Sequence, residues 1–528
     1  MMKKTMKQYS FASQLKSLTV VFGIALTFAS CAKEDVAQNP TNTDGNNDKN
    51  LTTFVAGDEA KTRTSLDYSS SDFSWEAGDY IYVKDDDGIM RKSTNAPTQK
   101  VASFRYRVPG KFGASASYKV YYLGKNSNGS QVTISANQTQ TAPNNTEHFG
   151  TAGDYGTATA TGAVGGSIFS FQLEHQAAYL VFQPYTSNEI LQNCYLTKVE
   201  VTSDNDIAAT YTVRQPNGKL VASTGTGSNK IVLTTKDPKS GSSYYDGFPL
   251  DNNTADVTNN GAYMVIKPGT HTLRVRYWVK DVDTHVEGTI TKIYPSTAYA
   301  SNTYYDMTAD LNVHDYDGDH YYQWDAKEQY WKGREWWSTG KDQPVLNGSS
   351  NSNYAYSNSD PRHYNTSFPG TNISNPAIHS CKDLPNVNEL TWYAAYGDPR
   401  WDADELWTTM GHLYKGGMWF KKKSQISGYN SNTAYNGTDL RIPGGGGSWT
   451  PSSTLPSAAD ANNYFYLPAL GNSGYGSLGF VGTNGFYWSS SGSPYRRDFS
   501  CYLSFNSGEV NVSNTTRDSG LRVEPAFK

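Results

Sequence analysis

Apolar side chains recur at every second position along much of this chain, and that period leaves few architectures open. Val199 and Val201 alternate with Lys198 and Glu200; Leu273, Val275 and Tyr277 alternate with Arg274 and Arg276. A period of two sends successive side chains to opposite faces, so these segments are strands with one face buried. Gly, Asn, Asp and Pro clusters break the pattern about every ten residues, the spacing of turns in an antiparallel fold. No long amphipathic helix interrupts residues 51–312. The economical architecture is a pair of antiparallel β-sandwiches, expected over 51–185 and 186–312.

At 528 residues the chain is too long for one core. Its 47 glycines and 39 tyrosines suit turns and pleated strands. A net charge of −4 gives no reason to expect a nucleic acid or an acidic membrane surface as partner. Four cysteines are too few for a disulfide scaffold.

Residues 1–30 read as a secretory signal. Lys3, Lys4, Lys7 and Lys16 form a basic leader, and Leu18 to Phe28 is an apolar run far shorter than the ~20 residues of a spanning helix. Phe28-Ala29-Ser30-Cys31 then resembles the lipobox of bacterial lipoproteins, departing from it at Phe28, where Leu is usual. The resemblance implies that Cys31 carries the lipid of an outer-membrane anchor. Lys33, Glu34 and Asp35 are similar to the surface-export signal of Bacteroidetes lipoproteins. Residues 31–50 are polar after that cysteine, bury nothing, and are expected to be a tether.

The middle of the chain carries a second resemblance. KTRTSLD (61–67), FSWEAGDYIYV (73–83), SYKVYYL (117–123), VTISANQTQT (132–141), FQLEHQAAYLVF (171–182), LTKVEVTS (196–203) and AYMVIKPGTHTLRVRY (262–277) together look like the fimbrillin-like proteins of Bacteroidetes. This implies two tandem sandwich domains, other fimbrial subunits as partners, and assembly by strand exchange. In that process a protease removes an N-terminal strand and a neighbour's extended segment fills the groove. Arg63, in Thr-Arg-Thr, is the candidate cleavage site; the plainer reading is an ordinary strand arginine. His175, among Phe171, Leu173, Ala177 and Tyr179, is expected to be a satisfied core or sheet-edge histidine. Trp75 reads as a core anchor before a tight turn at Gly78-Asp79.

Ten of the twelve tryptophans lie beyond Val313, which marks a separate domain over 313–528 with an aromatic core. Helices are expected from about Pro385 and over Asp402 to Met410, the second ended by Gly411. Phe499, Cys501, Leu503 and Phe505 begin a hairpin that turns at Asn506-Ser507-Gly508 and returns through Val510 and Val512. YDGDHYYQW (316–324), LPNVNELTWYAAYGDPRWD (384–402) and residues 484–527 resemble the Fibrobacter major paralogous domain, a group similar to C-type-lectin-like and formylglycine-generating-enzyme folds. The fold class is therefore mostly β, with two sandwiches followed by an α+β lectin-like domain.

Chemistry is sparse. Cys381 and Cys501 lack the paired context of a copper site; they form either one disulfide or two buried thiols. Glu524-Pro525 is followed by Ala526, unlike a calcium-lectin ligand motif. Asp315, Asp317 and Asp319 have the alternate spacing of a calcium loop but no downstream bidentate Glu, which favours a turn. Residues 441–450, rich in Gly, lack the Lys-Ser/Thr of a phosphate loop. Asp398, Asp402, Asp404 and Glu405 read as solvated capping groups rather than a glycosidase pair. Trp336, Trp337 and Trp401, in polar surroundings, are the candidates to stack on a host or microbial glycan. No cofactor and no enzymatic activity are expected. The resulting expectation is a fimbrial tip or accessory subunit displaying its last domain as an adhesin, with a non-polymerising polysaccharide-binding lipoprotein as the alternative.

Overall fold

A computed structural model describes residues 7–10, 51–57, 65–68, 72–125, 127–214, 219–282, 285–367, 376–523 and 527. Cys31, Arg63 and the Glu524-Pro525-Ala526 stretch lie outside the described residues. The chain is mostly strand and forms two compact units. The first comprises residues 1–187, 192–277 and 294–311; the second comprises 188–191, 278–293 and 312–528. Among the described residues no helix is long and apolar enough to cross a membrane.

In the first unit, the strand Leu51–Ala56 lies inside a sheet, parallel to Ile168–Phe171 on one side and antiparallel to Phe104–Pro109 on the other. Its alternate residues Phe54 and Ala56 are fully buried. They join Trp75, Ile81, Tyr106, Phe112, Tyr118, Phe169 and Phe171 in one core. Phe54 stacks on Phe169 with ring centroids 5.5 Å apart and meets Phe112 edge-on at 5.1 Å. Trp75 is at the centre, as its flanking turn implies, and Gly78 takes the left-handed φ of +83°.

A second sheet of this unit runs in the order Lys7–Ser10, Thr303–Asp310, Ala178–Tyr185 and Ala262–Ile266. Two side chains close its last edge. Gln138 Nε2 donates to Val265 O at 2.7 Å while its Oε1 accepts from Val265 N at 3.0 Å; Gln140 does the same with Gly261 O and Tyr263 N at 2.9 and 2.8 Å. Both glutamines are buried, so their amides stand in for a missing strand. His175 is buried, its Nδ1 2.9 Å from Asp154, which also accepts the Tyr179 hydroxyl at 2.6 Å. It is a satisfied core histidine.

The second unit contains the expected first helix, Val387–Tyr396, started by a capping box in which Asn386 accepts from Asn388 and Glu389 N–H and Glu389 reaches back to Asn386 N. Val387, Leu390, Tyr393 and Ala394 pack on Leu503, Phe505, Val510 and Val512 of the C-terminal hairpin. The helix expected from Asp402 is instead the strand Arg400–Thr409, paired with His412–Lys421. Met410 and Gly411 both take positive φ, +49° and +78°, and make the two-residue loop of a β-hairpin. Gly411 thus serves a turn rather than a helix end. The acidic residues are consumed by tertiary contacts: Asp402 accepts the Trp419 indole N–H, Asp404 pairs with Lys415, and Glu405 accepts Thr291 N and Oγ1. The strand register shifts between Asp402 and Leu406, a bulge that holds Asp404 and Glu405.

Candidate functional site

The DYDGDH loop, residues 315–320, and the loop carrying Trp336 and Trp337 are drawn together by one buried side chain. Gln343 Nε2 donates to Gly318 O at 2.8 Å and its Oε1 accepts from Trp336 N at 3.2 Å. The hairpin loop closes the group from a third side, since a Cβ added to Gly411 would lie 3.4 Å from the Trp336 ring. Trp336 and Trp337 meet edge-on, centroids 5.7 Å apart. Trp336 is half-buried with its indole N–H unpartnered among the described residues; Trp337 is 50% exposed. A ring half in water on a supported partner offers one free face for stacking.

Beside it, Asp317, Asp319 and His320 gather ligand-type atoms within 4.8 Å of one another. His320 Nδ1 is 2.8 Å from Asp317 and 2.6 Å from Asp319. Burial first, then the hydrogen bond and charge of Asp317, push the Asp319 carboxyl up to about 6, while Asp317 shifts down through its bonds with Asp319 and His320. Arg522 Nη1 donates to Asp317 O at 3.1 Å from beneath. Asp315 is not a member: it accepts the Thr408 hydroxyl at 2.9 Å. The alternate spacing thus named two of the three groups, and His320, next in sequence, completes them.

Trp401 does not join this site. It is half-buried against Gly416, about 20 Å along the strand from Thr409 by strand rise. Asp398 is held by Arg400 at 2.9 Å and by the Tyr464 hydroxyl, an internal clamp rather than half of a carboxylate pair.

Cys381 and Cys501 are both buried and free, so of the two alternatives the structure has the pair of separate thiols and not the disulfide. Cys381 packs with Trp324, Leu384 and Trp488, whereas Cys501 belongs to the larger core, on the other side of the sheet. Burial raises both thiols, Cys501 to about 12, and makes them inert. Sequence reading missed the staple beside them: buried Asp325, at φ +54°, accepts from Ile378, His379 and Cys381 N–H and from Asn365. An aspartate after a tryptophan carries no signal for that.

Neither a protein-family model nor a curated protein matches the chain. Among solved structures it is similar to a Bacteroides ovatus chain described as a candidate cell adhesion protein, at 15% identity over 49% of this chain and 93% of that one, with a TM-score of 0.30. A fimbrial protein from Bacteroides ovatus matches at 11% identity over 89% and 98%, TM-score 0.23. The fimbrial anchor protein of Porphyromonas gingivalis matches at 10% over 46% and 82%, TM-score 0.20.

Proposed function

We propose that this chain is a cell-surface fimbrial subunit of the tip or accessory kind, lipidated at Cys31, that accepts a strand from a neighbouring subunit and displays its second unit as an adhesin. The observation that carries the reading is the position of Leu51–Ala56. This strand is interior to its sheet and plugs a core with Phe54, yet it is joined to the rest of the unit through the segment that holds Arg63. Cleavage at Arg63 frees it to leave. What remains is a slot with two unpaired backbone edges and an aromatic floor of Phe112, Tyr118 and Phe169, which suits an extended segment with alternate apolar side chains. The fimbrillin-like stretches of the sequence support the same reading. A whole second unit after the first argues for a terminal position, because a shaft subunit needs a free segment to donate.

The Trp336–Trp337 corner is the surface proposed for contact with glycan. No catalytic role belongs to this reading. A second reading, a surface lipoprotein that binds polysaccharide without polymerising, draws on the half-exposed Trp337 alone. Immunogold microscopy of intact cells separates the two: particles at filament ends support the first, and even coverage of the membrane without labelled filaments sinks it.

A further inference from the structure

The C-terminal sheet of the second unit has two unlike faces. Tyr487, Leu503, Phe505, Val510 and Val512 face the helix and the core. The pleat sends their neighbours to the other side, where cross-strand pairing sets Phe486 beside Ser504 and Ser504 beside Asn511, with Tyr502 beside Ser513 in the next row. Part of this outer face is roofed by Trp324, Cys381 and Leu384 over Trp488, and Phe486 and Tyr502, each half-buried, pack against that cluster with one side. The rest is open, and Ser504, Asn511 and Ser513 are half-buried with side chains that bond to nothing among the described residues.

Three rings stand in a row along it. Phe480 lies 6.0 Å from Phe486 and edge-on to it at 62°, and Phe486 lies 6.4 Å from Tyr502 with their planes 29° apart. Phe480 is 56% exposed and takes a φ of +65°, a region that glycine occupies freely and a bulky aromatic does not. The fold thus carries strain there for a ring that fills no core.

We infer that this outer face binds a neutral glycan chain, with Phe480, Phe486 and Tyr502 stacking on the apolar faces of successive sugar rings and Ser504, Asn511 and Ser513 hydrogen-bonding their hydroxyls. The class follows from the donor set. Hydroxyl and carboxamide groups match sugar hydroxyls, and the residues named on the face include no cation to recruit a sulfated or uronic polymer; the charge at its rim is the carboxylate of Glu509, which accepts the Ser448 hydroxyl and repels anions. The inference deepens the display reading of the second unit and adds a face distinct from Trp336 and Trp337; it holds whether or not the chain polymerises.

Affinity electrophoresis of the full chain through native gels containing galactomannan or hydroxyethylcellulose tests it. The wild type is retarded by at least one polymer. Phe480→Gly weakens that retardation at least tenfold while leaving the melting temperature equal or higher, because glycine relieves the positive φ. Asn511→Asp, which brings a charge to the face, weakens it with the melting temperature unchanged. Free passage of the wild type through both polymers overturns the proposal. So does undiminished retardation of Phe480→Gly, or a fall in its melting temperature. Failure of the assembly reading is seen separately, in the absence of labelled filaments.

Discussion

Replacing Phe54 by alanine tests whether the strand Leu51–Ala56 is a plug in its sheet. The ring is fully buried, stacked on Phe169 and edge-on to Phe112. Truncating such a phenylalanine costs about 3–5 kcal/mol, part of it from the two ring contacts, because the cavity left behind is only partly refilled. Set against a total of about 5–15 kcal/mol for a domain, that is a large share. The loss is concentrated on the two ladders of this strand. Hydrogen exchange read by mass spectrometry on a peptide spanning Phe104–Pro109 reports it locally. A loss of about 4 kcal/mol is close to a thousandfold in the opening equilibrium, and protection should fall by that order. Peptides of the second unit should exchange as before. A change of less than tenfold would refute the reasoning, since a strand that adds so little to its core could not leave a slot worth refilling.

Other expectations are more local. Gln140→Ala strips two hydrogen bonds from Gly261 and Tyr263 and leaves buried backbone groups unpaired, so urea unfolding should show a loss of about 2–4 kcal/mol, with Gln138→Ala similar. Asp319, titrating at about 6 against an ordinary 3.8, keeps a proton in the folded chain that the unfolded chain releases. Its stabilisation is therefore full below about pH 4 and gone above about pH 6; with the side chain 37% exposed it amounts to on the order of 1 kcal/mol. Asp319→Asn should flatten the melting temperature between those limits, and an unchanged slope would exclude the raised carboxyl. Cys381 and Cys501 should react with a thiol reagent only after denaturation, and non-reducing peptide maps should show no bridge between them.

Much of this fold was legible in side-chain period. The C-terminal hairpin, the helix start near Pro385 and the buried Trp75 follow from alternation, a helix-start residue and turn residues, all local properties, although the start itself is a capping box at Asn386 that the sequence reading did not name. What misled was Asp402 to Met410, where acidic residues before an apolar stretch imitate a helix start. Pairing with His412–Lys421 and the Met410-Gly411 loop decide that segment, and both depend on residues beyond it. The candidate site was half legible. Asp317, Asp319, Trp336 and Trp337 were marked by their residue types, but Gln343, which holds the two loops together, has no sequence signature. Trp401 was marked for the same reason as Trp336 and lies elsewhere, because polar neighbours in sequence do not say which tryptophans share a surface. The glutamine pair that closes the Ala262–Ile266 edge was hidden in an ordinary strand pattern.

The central claim is that the Leu51–Ala56 strand is released at Arg63 so that another chain can replace it. The most direct measurement is the N-terminus of the protein recovered from intact cells, by intact mass and peptide mapping. A mature chain beginning at Thr64, with residues 51–63 absent from the assembled fraction, is the predicted result. A chain that begins at a lipidated Cys31 in every surface fraction and keeps Phe54 would contradict it.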